Sequence, residues 1–363
     1  MPTVMQLLPN LSTGGAEKST LEIADALRAR GWRSIIVCAG GTQVESARAL
    51  GSEVIELELA RKSLGAIASV LKLRAMVKKF KPDVVHVRSR LPAWIWRFAQ
   101  WRLARRPITV STLHGMNSVS AYSSIMLKAD ALIAVSKTCA EYWHMHYPEF
   151  AKRRFQVISR GIDMEFFASQ ARSDLHADIG PWLLLPGRGS RLKGHRDAVE
   201  LIGMLKRRGT RVGLILLGAR ERGREHYVRK LEQQAAGLGV SQQLRILEPV
   251  SDVRPYYSNA LATLQLSTKA ETFGRVVAES LACGTPVLGY ARGGVGELLR
   301  AHFPFGAVAP QNLVQLMERT LSLVAGQNPA ISRTQLPNLK SMQDATLALY
   351  ERLIKGNRGE EQT

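Results

Sequence analysis

Two stretches of this 363-residue chain hold residue types that could act together on a diphosphate. In GRGSRLKG (187–194), Arg188 and Lys193 stand five positions apart, after the apolar run WLLLP and ahead of a helical pattern. Two fixed cations beside a helix N-terminus suit a diphosphate leaving group, because amide dipoles and charged donors then point at one anion. The loop is not a Walker A, since no Gly-Lys-Ser/Thr follows at the required spacing. The second stretch is STKAETFGRVVAESLACGTPVLGY (267–290). It puts Glu271 in a loop, Phe273-Gly274 at a helix start and Glu279 about two turns on; Gly284 ends the helix and Pro286 opens a strand. Two carboxylates eight positions apart could hold sugar hydroxyls, one on a ribose and one on a transferred hexose, while amides at Thr272–Arg275 could meet phosphate oxygens. A basic surface loop and an ordinary capped helix with surface glutamates would show the same local patterns.

The histidines divide by context. His114 precedes a glycine at a strand end and reads as a site residue. His86, in DVVHVRS, lies at a similar strand end and could face an acceptor. His144 and His146 alternate on a helix, so they cannot form an i,i+4 metal pair and read as solvated or core residues.

Positioning these residues takes strands and helices in alternation. Short apolar runs at 4–9, 34–40, 54–59, 83–87, 108–114 and 131–136 read as strands with amphipathic helices between them. The pattern restarts after a charged, irregular stretch at 166–180, with strands at 182–187, 212–218, 244–249, 260–267 and 286–290. This βα alternation implies parallel sheets covered on both faces. The fold class is therefore α/β, with two doubly wound, Rossmann-like domains facing a cleft, one over 1–165 and one over 166–339. The tail GNRGEEQT reads as frayed. Hydrophobic residues at 45% and charged residues at 22% exclude a disordered chain or a repeat fibre. Three widely spaced cysteines, Cys38, Cys139 and Cys283, argue against a disulfide framework and for a reducing cytosol. No run of 18 apolar residues is present to span a membrane, and the start does not read as a signal peptide.

Taken in order, the motifs resemble those of GT-B glycosyltransferases of family 4. Glu271-x-Phe273-Gly274-x4-Glu279, then Ala282-x-Gly284-x-Pro286-Val287, looks like that family's E-x7-E signature. GRGSRLKG is similar to its Arg…Lys diphosphate loop, and Thr13-Gly14-Gly15-Ala16-Glu17 to its N-terminal glycine loop. Leu113-His114-Gly115 resembles the segment that brings a histidine to the donor sugar, and Arg160-Gly161-Ile162-Asp163 the hinge-side turn. The resemblance covers about residues 3–300. It implies a nucleotide-sugar donor bound mainly by the C-terminal domain, retention at the anomeric carbon, no metal and no cofactor beyond the donor itself. It also implies a last helix, near 340–355, that crosses back onto the N-terminal domain. By this resemblance Arg188 and Lys193 neutralise the departing diphosphate, Glu271 holds the transferred sugar and Glu279 the ribose. Backbone from Leu247 to Val250 flanks the base, with UDP favoured. Thr272, Phe273 and Gly274 offer amides to phosphate, His114 touches the donor sugar, and Gly14 and Gly15 allow close backbone approach. Replacing Glu271, Glu279 or Lys193 by Ala is expected to cripple transfer and leave the unliganded fold intact. One departure is Gly189, where the family often has Leu.

The formal net charge is +20 and is unevenly spread: residues 60–106 hold thirteen Lys/Arg against a single acid, Asp83. Interleaved Trp94, Phe98 and Trp101 fall on one helical stripe, which reads either as packing on the sheet or as an interfacial anchor. The charge implies a peripheral enzyme on the inner face of the cell membrane, with an anionic membrane surface and a glycolipid or phosphorylated saccharide acceptor as partners. SRLPAW (89–94) and the general style resemble lipopolysaccharide core glycosyltransferases. Two other readings compete: another GT-B enzyme such as a sugar-nucleotide epimerase, and a basic nucleic-acid-binding protein. The latter lacks a recognisable RNA-recognition, zinc-finger or helix-turn-helix signature. No Gly-x-Gly-x-x-Gly follows the first strand, so an NAD dehydrogenase fits poorly.

Overall fold

The computed structural model describes residues 1–12, 14–61, 65–168, 175–327 and 329–360. The chain forms two compact units: Met1–Gly161 with Leu339–Thr363, and Ile162–Asn338. Thr13, Lys62 of the basic stretch 60–106, and the middle of the irregular stretch at 166–180 lie outside the described residues.

The first unit is built on a seven-stranded, all-parallel sheet in the order β3-β2-β1-β4-β5-β6-β7. Its strands are β1 (Thr3–Leu7), β2 (Arg33–Cys38), β3 (Glu53–Glu56), β4 (Val84–Val87), β5 (Ile108–Leu113), β6 (Ala131–Ala134) and β7 (Phe155–Val157). The central strands are buried at every position, which is why they read as continuous apolar runs rather than alternating ones. The edge strand β7 escapes the apolar pattern: Phe155 is 44% and Val157 37% exposed, around Gln156.

The second unit carries a six-stranded parallel sheet in the order β10-β9-β8-β11-β12-β13. Its strands are β8 (Trp182–Pro186), β9 (Gly213–Leu217), β10 (Leu244–Leu247), β11 (Ala262–Gln265), β12 (Val287–Tyr290) and β13 (Ala307–Val308). In each sheet the strand order reverses once beside the first strand, between β1 and β4 and between β8 and β11. Loops leaving the carboxyl ends of strands at such a reversal diverge and leave a crevice for ligands. The two stretches singled out in the sequence leave β8 and β11, the pair flanking the second reversal.

The helix Leu339–Glu360 belongs to the first unit and packs on the helix Gly15–Ala29. Met342, Leu347, Tyr350 and Leu353 join the core cluster containing Ile23, Leu27 and Val110. Gln343 Nε2 donates to the Glu22 carbonyl at 2.8 Å, and Arg30 pairs with Glu351 at 2.8 Å. The helix continues to Glu360, into the first part of the stretch that reads as frayed in the sequence.

Candidate functional site

The loop after β8 is short and fixed. Ser190 caps the 3-10 turn Arg191–Lys193 by accepting from the Leu192 amide at 3.3 Å. Gly194 follows at φ +75°, a left-handed conformation that glycine adopts without penalty, and a Cβ there would lie 2.1 Å from the Leu266 carbonyl oxygen. Gly189 is equally constrained, since its Cβ would lie 2.4 Å from the Ala219 carbonyl oxygen. A leucine at 189 could not occupy this loop conformation, which explains the departure noted in the sequence. The helix His195–Arg207 then starts, with Lys193 just ahead of it and Arg188 exposed on the loop.

Lys193 reaches the second stretch. Its Nζ lies 2.7 Å from Glu271 Oε1, and Ser267 Oγ donates to the same oxygen at 2.5 Å. Gln265 Nε2 donates in turn to Ser267 Oγ at 3.2 Å. Burial pushes the Glu271 carboxyl up, but the Lys193 ammonium and the hydrogen bonds from Lys193, Ser267 and Gln265 outweigh it, and the net direction is down. Glu271 is therefore a carboxylate, held half-buried beside a cation.

Glu279 sits one element further on, in the helix Arg275–Ala282, which opens at Gly274 with φ +94°. Its Oε1 accepts from Arg275 Nε at 2.8 Å and its Oε2 from the Tyr257 hydroxyl at 3.0 Å. Tyr257 is buried, and its hydroxyl is pushed well above the usual phenol range by that burial and then by the Glu279 charge. Phe273 is a core residue, 3% exposed, which leaves its backbone rather than its side chain for the role expected of it. Thr272 is half-buried beside it. The acid loop also leans on the helix Gly293–His302: Gly294 donates to the Glu271 carbonyl at 2.8 Å, and a Cβ on Gly294 would lie 2.5 Å from Phe273 Cα.

The two halves of the chain match two family models. Residues 13–166 match Glycosyltransferase Family 4 and residues 170–336 match Glycosyl transferases group 1. The chain belongs to the family 4, group 1 glycosyltransferases. Among curated relatives, a D-inositol 3-phosphate glycosyltransferase of Catenulispora acidiphila is 28% identical over 261 residues, covering 66% of this chain and 62% of that protein. A second, from Nocardiopsis dassonvillei, is 32% identical over 46% of its length, so the chain spans less than two thirds of these relatives. The lipopolysaccharide core biosynthesis glycosyltransferase LpsE of Rhizobium meliloti is 27% identical over 76% of this chain and 75% of that one. Among solved structures, a glycosyltransferase from Rickettsia africae superposes with a TM-score of 0.85 at 25% identity, over 98% of this chain and 99% of that one. Anabaena Alr3699/HepE in complex with UDP and glucose gives 0.81 at 20% identity, over 96% and 99%. These likenesses make the fold GT-B.

The other residues expected in this glycosyltransferase's site are described within each unit. Leu247 is half-buried, and its carbonyl already accepts from the amides of Gly218, at 3.0 Å, and Arg220, at 3.1 Å. Val250 is 37% exposed. Beside them a concavity of about 720 Å³ is lined by Arg220, Glu221, Arg222, Glu225, Glu248 and Pro249. In the first unit, Gly14 and Gly15 open the helix Gly15–Ala29, and His114 follows β5. His114 Nδ1 is bonded to Arg160 Nη2 at 2.7 Å. Its ring is held well below the usual histidine range, by burial first and then by Arg160, Arg88 and His86.

His86 is corrected from a possible acceptor contact to a core residue. It is wholly buried between the Tyr350 hydroxyl, at 2.5 Å from Nδ1, and Thr112 Oγ1, at 2.6 Å from Nε2. The sequence pattern could not show this, because one partner comes from the far end of the chain. His144 and His146 are solvated. Arg292 was missed. It donates through Nη1 to the Thr268 carbonyl at 2.6 Å, bracing the acid loop from the following strand's end. Its place in ARGG (291–294), after strand PVLGY and ahead of a helix, was the available signal. Among the described residues, no group of three His, Cys, Asp or Glu could hold a metal ion.

Proposed function

We propose that this chain transfers a sugar from a UDP-sugar, with retention at the anomeric carbon, to a glycolipid or phosphorylated saccharide at an anionic membrane surface. The observation that carries the reading is the Lys193–Glu271 pair, joining the loop that also carries Arg188 to the loop after the neighbouring strand, at the sheet's reversal point. Breaking the sugar–phosphate bond leaves positive charge on the sugar carbon and negative charge on the diphosphate. Cations fixed in advance favour that separated state over the bound donor, which lowers the barrier without any reorganisation during the step. Arg188 and Lys193 supply that charge, and Glu271 and Glu279 accept from sugar hydroxyls. No residue of the site is placed as a nucleophile in this reading. The acceptor oxygen attacks from the face the diphosphate leaves, and the departing phosphate takes its proton. A trapped covalent glycosyl–enzyme would overturn that step. Co-crystallised UDP in the Anabaena neighbour supports the choice of base.

A thermal-shift screen tests the donor, because a ligand that binds only the folded chain stabilises it. UDP and UDP-sugars should raise the melting temperature by several degrees, with or without EDTA, and ADP and GDP by less. No shift with any nucleoside diphosphate would remove the reading.

The membrane part rests on the helix Arg90–Ala99 and its partner Gly65–Phe80. The stripe that could have been core is turned outward: Phe98 is 57% and Trp101 64% exposed, with Ile67 at 67% and Leu71 at 64% on the packed neighbour. The sheet-facing side is taken instead by Ala93, Ile95, Trp96 and Ala99. Trp94 is the exception, half-buried and stacked on Phe98 at 5.9 Å between centroids. Lys72, Lys78, Lys79, Arg97, Arg102 and Arg105 lie exposed on these two helices and the segment that follows. Each cation near an anionic leaflet contributes about 1 kcal/mol, so this patch suffices for reversible attachment. No helix among the described residues is long and apolar enough to cross a membrane. Sedimentation with vesicles should show binding to phosphatidylglycerol-containing but not pure phosphatidylcholine vesicles. Salt and the substitution Phe98→Ser/Trp101→Ser should each weaken it. Equal binding to both vesicle types would contradict the assignment.

A further inference from the structure

We propose that Arg160 is a positioning residue for His114: seated against Gly15, its guanidinium holds the imidazole in one tautomer and one orientation. The inference rests on the reading that His114 works on a sugar hydroxyl. Arg160 Nη2 lies 2.7 Å from His114 Nδ1. A guanidinium has donors only, so Nδ1 must accept and the proton of the neutral ring sits on Nε2.

Arg160 is itself held in place. It is 9% exposed, and the adjacent Gly161 amide donates to Met342 Sδ at 3.3 Å. A Cβ at position 15 would lie 2.3 Å from Arg160 Nη1 and 3.3 Å from Cζ. Gly15 is not in a left-handed conformation, so what it supplies here is room. The N-terminal glycine loop therefore has a duty beyond approach to a ligand: it leaves space for the arginine that orients the histidine.

The charged and titratable groups around the ring act in one direction. Arg160 at the loop, Arg88 after β4 and His86 on β4 all oppose a proton on His114. Tyr350 caps His86 from the C-terminal helix. Glu22, on the helix Gly15–Ala29, acts on Arg88, and Glu17 faces Gly14 at the start of the same helix.

The test is nitrogen-15 NMR of histidine-labelled full-length protein together with transfer kinetics. In the wild type, His114 should show an unprotonated Nδ1 and a protonated Nε2, and stay neutral where a free histidine is already protonated. Arg160→Met should give a mixture of tautomers and a raised titration midpoint. It should lower kcat about 10–100-fold with little change in donor KM, and add an acid limb to the pH profile. Arg160→Lys should restore part of the rate. Gly15→Ala, which leaves the arginine in the chain but displaces it, should move the same signals, and the double variant should be no worse than Arg160→Met alone. If Arg160→Met does not fold, Arg160→Gln and Gly15→Ala carry the same test. A wild-type ring protonated on Nδ1, or a tautomer unmoved in the Arg160 and Gly15 variants, would overturn the proposal. Full transfer by His114→Ala would instead overturn the reading on which it rests.

Discussion

Replacing Lys193 by Met should lower kcat/KM for sugar transfer by about 10³-fold, at the upper end of what losing one preorganised donor to a developing anion costs. In the proposed reaction the ammonium meets negative charge that is greatest when the sugar–phosphate bond is breaking, so kcat should fall more than donor affinity. Lys193 also neutralises Glu271, 2.7 Å away in a half-buried setting. Its loss leaves burial to push that carboxyl up, with only Ser267 and Gln265 to resist. The double variant Lys193→Met/Glu271→Gln separates the two roles. It removes both charges together and should recover whatever stability the single variant loses, while transfer stays as low or lower. Recovery of transfer in the double variant would mean that the lysine only serves the glutamate.

The second large effect falls on Glu279, and it differs from what the sequence alone leads one to expect. An exposed ribose-binding carboxylate could be deleted from the unliganded protein without harm. Here the carboxylate is 8% exposed and takes hydrogen bonds from both Arg275 and the buried Tyr257. Glu279→Ala removes the acceptor of the buried Tyr257 hydroxyl and one partner of the mostly buried Arg275 guanidinium. Breaking such a pair costs on the order of 3 kcal/mol, which for a unit of this size is a fall in melting temperature of roughly 6–12 °C. Differential scanning calorimetry of the ligand-free protein reads this directly. Glu279→Gln keeps an oxygen for the donors and should recover about half the loss. A melting temperature unchanged by Glu279→Ala would show that the carboxylate is held for the ligand alone.

The fold was legible because parallel strands buried on both faces leave unbroken apolar runs, as in WLLLP and VGLILLG. The edge strand β7 was not, because FQV is short and half-exposed and carries no such run. The loops with Lys193 and Glu271 could be located because glycines mark the turns and the charges between them are few in kind. What the sequence could not show was pairing at a distance. His86 and Tyr350 are 264 positions apart, Lys193 and Glu271 78. Nor could periodicity decide which face of the Trp94–Trp101 segment turns inward: Trp96, off the stripe, is buried and donates to Thr109 Oγ1 at 2.9 Å, while Trp101, on it, is exposed.

The chemistry proposed for this chain requires that charges from two loops of the second unit address one pyrophosphate. A crystal structure of the full chain with UDP decides this most directly. The proposal predicts phosphate oxygens within hydrogen-bonding reach of Lys193 Nζ, the Arg188 guanidinium and the amides of 273–275, with the ribose hydroxyls on Glu279. Diphosphate density elsewhere on the protein, with the Lys193–Glu271 pair untouched, would contradict it.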